Sequence, residues 1–180
     1  LEAITDDKGL YFINPMGEDK NKPRQIWTQG EPESNSVWFP TIDKPNERCT
    51  QEISITIENN FIAMSNGYVA DSKENGDGTY TITWKQDKPH APYLFMMAIG
   101  EYAEVKDFYN GMTVNYYVEK EYENVARQIF GKTPEMIGYF SKVLGVPYQW
   151  DKYWQVVVRD YVSGAMENTT ATLHGESVQA

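Results

Sequence analysis

The chain has 180 residues, 41% of them hydrophobic, with 5 Trp, 13 Tyr and 7 Phe, which is material for one large or two small domains with true cores. Its 16 Lys and Arg stand against 26 Asp and Glu, a net charge of −10 with no basic run, which argues against nucleic acid and anionic membranes as partners. No apolar stretch approaches the roughly 20 residues of a spanning helix, and Leu1 to Lys8 carries neither the charged nor the apolar region of a signal peptide.

The run Leu10, Tyr11, Phe12 and Ile13 after Gly9 reads as an edge strand or hairpin arm, followed by a polar loop from Asn14 to Arg24. From Glu52 to Glu58, Ile53, Ile55 and Ile57 alternate with polar neighbours, the period of a half-buried strand. Thr79 to Lys85 repeats that alternation through Tyr80, Ile82 and Trp84, after Asn75-Gly76-Asp77-Gly78, whose glycines suit a hairpin turn. The unbroken apolar run Tyr93 to Ile99, between Pro92 and Gly100, and the β-forming Met112 to Val118 predict two more strands.

The period changes after Glu119. Tyr122, Val125, Ala126, Ile129 and Phe130, then Met136, Ile137, Phe140, Val143 and Leu144, recur at spacings of three and four. This predicts two helices, with Thr133 capping the second and Gly145 and Pro147 ending it. Tyr153 to Asp160 alternates again as a strand leading to Gly164-Ala165-Met166-Glu167-Asn168. The shift from β to mixed texture places a domain boundary near residue 103.

Only His90 and His174 are present, with the single Cys49, so no zinc site of the usual ligand set can be assembled from this sequence. Each His is expected to be a surface or hydrogen-bonded residue, and Cys49 a small core residue without a disulfide. The acidic stretch Asp71 to Asp77 misses the twelve-residue calcium loop and reads as a solvated turn. Neither a phosphate loop after a strand nor a supported Ser-His-Asp order appears. Glu167 beside Gly164 and Ala165 remains: small residues let another backbone approach and pair as an added strand. On residue type alone, Glu167 and Glu31 are ordinary solvated charges.

Thr28-Gln29-Gly30-Glu31-Pro32, then Trp38-Phe39-Pro40, Asp43-Lys44-Pro45, Ser65-Asn66-Gly67, Tyr93-Leu94-Phe95, Pro147-Tyr148 and Gly164 to Asn168, resemble in order and spacing the M1 family of zinc aminopeptidases, which are gluzincins. The resemblance covers nearly the whole chain, and Gly164 to Asn168 is similar to the family's exopeptidase signature. It implies that residues 1–103 are part of a mainly β, saddle-like N-terminal domain, and that residues 104–180 are the α+β start of a thermolysin-like catalytic domain.

The resemblance also implies a function: removal of N-terminal residues from peptides. In its terms Glu31 and Glu167 meet the free α-ammonium, Gln29 borders the first side-chain pocket, Gly164 and Ala165 bind the substrate backbone, Met166 lines the pocket, and Asn168 completes the signature. The family's zinc motif, His-Glu-x-x-His with a more distant Glu, is expected after Ala180. By itself, therefore, this chain is expected to bind no metal, to be inactive, and to expose apolar surface that drives self-association. The alternative is a non-catalytic peptide- or carbohydrate-binding β module, which 14% aromatic residues also suit.

Overall fold

A computed structural model describes residues 8–179. The chain opens with β1 (Gly9–Ile13), which pairs antiparallel with β2 (Gln25–Gln29) and sets Tyr11 opposite Trp27. A loop and one 3-10 turn lead to β3 (Cys49–Glu58), β4 (Ile62–Ser65), β5 (Tyr68–Glu74) and β6 (Thr79–His90). β3, β6 and β5 form a three-stranded antiparallel sheet. The alternation read in β3 and β6 is its physical basis: Ile53, Ile55, Ile57, Ile82 and Trp84 turn to one side. On the other side the Ser54–Thr83 and Thr56–Thr81 hydroxyl pairs meet at 2.8 Å.

Residues 93–99 do not form one strand. Pro92–Leu94 is a 3-10 turn and only β7 (Met97–Gly100) is extended. The Asn35 amide donates to the carbonyls of Pro92 and Phe95 at 2.6 and 3.0 Å, so two buried side-chain bonds hold the backbone away from the sheet. β7 then joins β2 and β4 in a four-stranded antiparallel sheet ordered β1-β2-β7-β4, with β1 at its edge.

The second half is a five-stranded mixed sheet. β8 (Tyr102–Val105), the short hairpin β9 (Phe108–Tyr109) and β10 (Met112–Thr113), and β11 (Tyr116–Glu119) precede α1 (Ala126–Phe130) and α2 (Thr133–Leu144). Met112 to Val118 is thus split between β10 and β11. The helices cross over to β12 (Trp154–Val158), parallel to β11 as such a connection allows. β13 (Ala165–Met166) and β14 (Ala171–Gly175) complete the order β13-β14-β12-β11-β8. Thr133 is the first residue of α2 and not its cap; its hydroxyl donates to the Phe130 carbonyl at 2.7 Å, closing the end of α1. Gly145, at φ 68°, ends α2 in the left-handed region.

Three cores tie four layers together. Ile55, Ala63, Trp84 and Ile99 join the three-stranded to the four-stranded sheet. Trp27, Met64, Met96, Ala98, Tyr117, Val156, Met166 and Leu173 join the four-stranded to the five-stranded sheet. Tyr116, Val118, Ala126, Phe130, Ile137 and Val157 pack the helices on its far face. Two further expectations are corrected. Asp71 to Glu74 belongs to β5 and only the residues after it turn, because an edge strand exposed along its length needs no apolar face. Cys49 is half-buried at the start of β3, not in the core, and burial raises its thiol pKa. Among the described residues no helix is long and apolar enough to cross a membrane.

Candidate functional site

Gln29 is the last residue of β2 and Glu31 stands exposed in the turn that follows. The turn is fixed at its root. Gly30 lies against the Asn35 amide and the Tyr93 carbonyl so closely that a Cβ would fall 2.4 and 2.5 Å from them. The Ser34 N–H closes the turn on the Gly30 carbonyl at 2.9 Å. Glycine is required here for close approach, and the result is a carboxylate presented from a rigid base.

The other segment leaves β12 through Arg159. The Arg159 carbonyl accepts from the Trp27 indole N–H at 3.0 Å, and its N–H donates to Gln25 Oε1 at 2.9 Å, so β2 and the end of β12 are stitched together. Its guanidinium grips the buried Glu119 carboxylate at 2.5 and 2.9 Å. Tyr161 follows, with its ring 5.0 Å from Trp27, which in turn stacks on Tyr11 at 4.1 Å.

Gly164 and Ala165 are exposed, and nothing lies within 4 Å of where a Gly164 Cβ would stand. β13 is the edge of the five-stranded sheet, its inner side pairing Ala165 with His174 and Met166 with Leu173. Among the described residues no strand pairs with its outer side. Glu167, next in sequence, is exposed; Asn168 is buried and its amide donates to the Leu94 carbonyl at 3.4 Å.

Burial raises the Tyr161 phenol above its ordinary pKa, and the negative charges of Glu167 and Glu31 add to the effect, with Tyr11 after them. Gly30, beside Glu31, lies against the Tyr93 carbonyl, and Asn168, beside Glu167, donates to the Leu94 carbonyl at 3.4 Å, so the segments carrying the two carboxylates meet the same turn despite their separation in sequence. Among the described residues Gln29 Oε1, Tyr161 Oη and Asn168 Oδ1 are buried without a hydrogen-bond partner.

Met166 differs from expectation. It is fully buried against the core between the sheets and offers no pocket surface in this structure; it anchors β13 while its neighbours stay exposed. Sequence reading also gave no role to Asn66, Lys152 or Tyr161. The Asn66 amide donates to the Thr169 and Leu94 carbonyls at 2.6 and 2.9 Å, and the Gly67 N–H donates to the Thr170 hydroxyl at 2.8 Å. Lys152 is buried, its ammonium 2.7 Å from the Ser65 carbonyl and over the rings of Trp84 and Trp154 at 3.8 and 4.3 Å. Residues 65–67 thus hold the turn after Glu167. The available signal was Tyr161 itself, an aromatic three residues before the Gly-Ala pair.

Among the described residues no three His, Cys, Asp or Glu side chains group to hold a metal. His90 shares a hydrogen bond with the Thr169 hydroxyl at 3.0 Å and His174 with Gln155 at 3.1 Å. Burial, with the Arg48 charge behind it, lowers the His90 pKa to about 4, and burial lowers that of His174 to about 4.

Residues 2–94 match the Peptidase M1 N-terminal domain and residues 129–178 the Peptidase family M1 domain. Glutamyl aminopeptidase of Homo sapiens is 30% identical over 144 residues, 79% of this chain and 15% of that protein. Aminopeptidase A of Gloydius brevicauda is 27% identical over 160 residues, 88% of this chain and 17% of that protein. Aminopeptidase M1 of Arabidopsis thaliana is 26% identical over 170 residues, 93% and 19% respectively. The chain thus spans less than a fifth of the length of these relatives, and its mostly β first part followed by a helix-bearing mixed sheet fits an N-terminal β domain leading into a catalytic domain. On the match of its first half and the agreement of its last, the chain belongs to peptidase family M1.

Proposed function

We propose that the protein removes N-terminal residues from peptides, and that this chain supplies the part that finds the N-terminus. The observation that supports the reading is that the segments carrying Glu31 and Glu167 both pack on the turn at Tyr93 and Leu94, in a member of a peptidase family. A free α-amino group, with a pKa near roughly 8, is mostly cationic at neutral pH, and two carboxylates at one place are its natural acceptors. An acetylated N-terminus offers no charge and is rejected.

The substrate backbone lies along the outer edge of β13, at Ala165 and Gly164, as an added strand. Gln29, at the end of β2, borders the first side chain. Met166 and Asn168 act beneath this surface, one in the core and one in the turn. Residues 1–103 belong on this reading to the saddle-like domain and residues 104–180 to the catalytic domain, with the site at their junction. If zinc is held elsewhere in the whole protein, it would supply polarisation of the scissile carbonyl and activation of water; the described residues would bind and orient the peptide.

The test is Glu31→Ala and Glu167→Ala in the protein at its natural full length. Each is expected to lower kcat/KM on aminoacyl substrates at least tenfold, the loss of a charge-assisted contact of roughly 1.5–3 kcal/mol. Unchanged kcat/KM in both would sink the assignment.

A further inference from the structure

We infer that Asn110 is a site of spontaneous modification: with water as the only co-reactant, its side-chain amide is converted through a cyclic imide to isoaspartate, at the tip of the β9–β10 hairpin. The sequence holds three Asn-Gly pairs, Asn66-Gly67, Asn75-Gly76 and Asn110-Gly111, each with a glycine whose missing side chain leaves its backbone nitrogen open to react. That nitrogen gives up its proton and attacks the Asn Cγ. A C–N bond forms, the bond from Cγ to the amide nitrogen breaks, and the proton leaves with that nitrogen as ammonia. Water then opens the imide at one of its two carbonyl carbons. Opening at the backbone carbonyl leaves the main chain running through Cβ and Cγ, one carbon longer, with a free carboxylate beside it.

What separates the three pairs is how the fold holds them. At Asn66 both reacting groups are tied: its amide nitrogen donates to the Thr169 and Leu94 carbonyls, its Oδ1 accepts the Met96 N–H, and the Gly67 nitrogen donates to the Thr170 hydroxyl at 2.8 Å. Asn66 is also fully buried, away from water. At Asn75 the amide nitrogen donates to the Thr79 and Thr81 hydroxyls at 2.9 and 3.2 Å, and its hairpin joins strands of 7 and 12 residues, β5 and β6. At Asn110 the side chain is exposed and, among the described residues, makes no hydrogen bond. Nothing lies within 4 Å of where a Gly111 Cβ would stand, so no neighbour obstructs the closing ring.

The turn also opens at low cost. Asn110 and Gly111 stand at φ 49° and 81°, the two positive values of a two-residue hairpin turn, and the chain leaves that geometry for the ring to form. β9 and β10 are two residues each, paired as Tyr109 with Met112 and Phe108 with Thr113. So short a hairpin opens more often than the long one at Asn75. Its base is held separately: the Val114 N–H donates to the Asp107 carbonyl at 2.8 Å, and the Asp107 carboxylate takes the Tyr116 hydroxyl at 2.8 Å and Arg127 at 3.0 Å. Opening is thus confined to the tip. The tip braces α2, because Gly138 admits the Tyr109 ring so closely that a Cβ there would fall 3.1 Å from it. One more backbone carbon in a two-residue turn breaks the pairing of Tyr109 with Met112 and loosens that brace.

The test follows all three sites in the full-length protein held in mildly alkaline buffer, by peptide mapping that resolves asparagine, aspartate and isoaspartate. The Asn110 peptide is expected to convert at least roughly tenfold faster than those of Asn66 and Asn75, chiefly to isoaspartate, and the three to convert alike in denaturant, where only local sequence acts. Conversion of Asn66 or Asn75 as fast as Asn110 in the folded protein would overturn the inference, as would an Asn110 that stays intact while its denatured counterpart converts. The same ranking in denaturant would also overturn it, since sequence and not fold would then set the order. The converted protein is compared in melting with freshly made Asn110→Asp, which carries the added charge without the added carbon. A lower Tm in the converted protein alone is the expected result; equal melting of the two would refute the loosening of the brace on α2.

Discussion

The Asn66 amide donates to the Thr169 carbonyl at 2.6 Å, joining two residues 103 apart in sequence. The same nitrogen reaches the Leu94 carbonyl at 2.9 Å and Oδ1 accepts the Met96 N–H at 2.8 Å. One fully buried side chain thus satisfies three backbone groups from two segments and fixes the turn that follows Glu167.

Asn66→Ala leaves those three backbone groups unpaired. It is expected to cost about 2–4 kcal/mol of stability in denaturant titration of this chain. Asn66→Asp should cost at least as much, since a carboxylate would face two carbonyl oxygens without a proton to give. A change under about 0.5 kcal/mol in either variant would mean that the turn is held by something else.

Gly67 beside it permits no side chain. Its φ is 75° and a Cβ would fall 1.9 Å from the Lys85 carbonyl oxygen. Gly76, at φ 81°, has open space around it. Gly76→Ala should therefore cost only the left-handed backbone term of about 1–2 kcal/mol, while Gly67→Ala adds a backbone clash and should prevent accumulation of soluble, cooperatively melting protein. Equal effects would show that the turn around residue 67 can move.

The parts of the fold that were legible in the sequence were those with a repeating face. β3 and β6 alternate because one side meets a core, and the helices show their three-four spacing for the same reason. β5 is exposed on both sides and carries no such signal, and β4 and β14 are too short to establish a period. The run 93–99 misled because composition records burial, whereas its backbone is bent by amides far away at Asn35 and Asn66. The candidate site was readable as a resemblance at Gln29, Glu31 and Gly164 to Asn168. Tyr161 and Asn66 matter only through partners that folding brings to them.

Buried His90 makes stability depend on pH. The folded chain keeps it neutral down to about pH 4, whereas an unfolded chain protonates near 6.5. As pH falls the unfolded state takes up protons first, so this contribution is full above pH 6.5 and is lost on the way to pH 4. A fall from 6.5 to about 4 is worth at most about 3 kcal/mol. His174 follows the same direction. Denaturant midpoints between pH 7 and pH 4 should decline across that window, and His90→Gln should flatten the decline. An unchanged slope in the variant would place the titration elsewhere.

The outer face of α2 predicts the behaviour of the chain in solution. Ile137 faces the sheet, but Met136, Phe140 and Leu144, four residues apart and hence on one stripe, are 54%, 56% and 71% exposed. Phe140 and Leu144 also line a cleft of about 490 Å³ with Val146, Pro147, Tyr148 and Trp150. A helix normally turns such a stripe inward, and a contiguous apolar patch on a monomer favours association. The net charge of −10 opposes association at low salt, so the expected outcome is a dimer or larger species that grows as salt screens the repulsion. Phe140→Lys with Leu144→Lys should return the chain to a monomer at all salt concentrations, with little change in melting, because neither side chain is buried. Light scattering that finds the unaltered chain monomeric at high salt and at tens of micromolar would refute this role for the stripe.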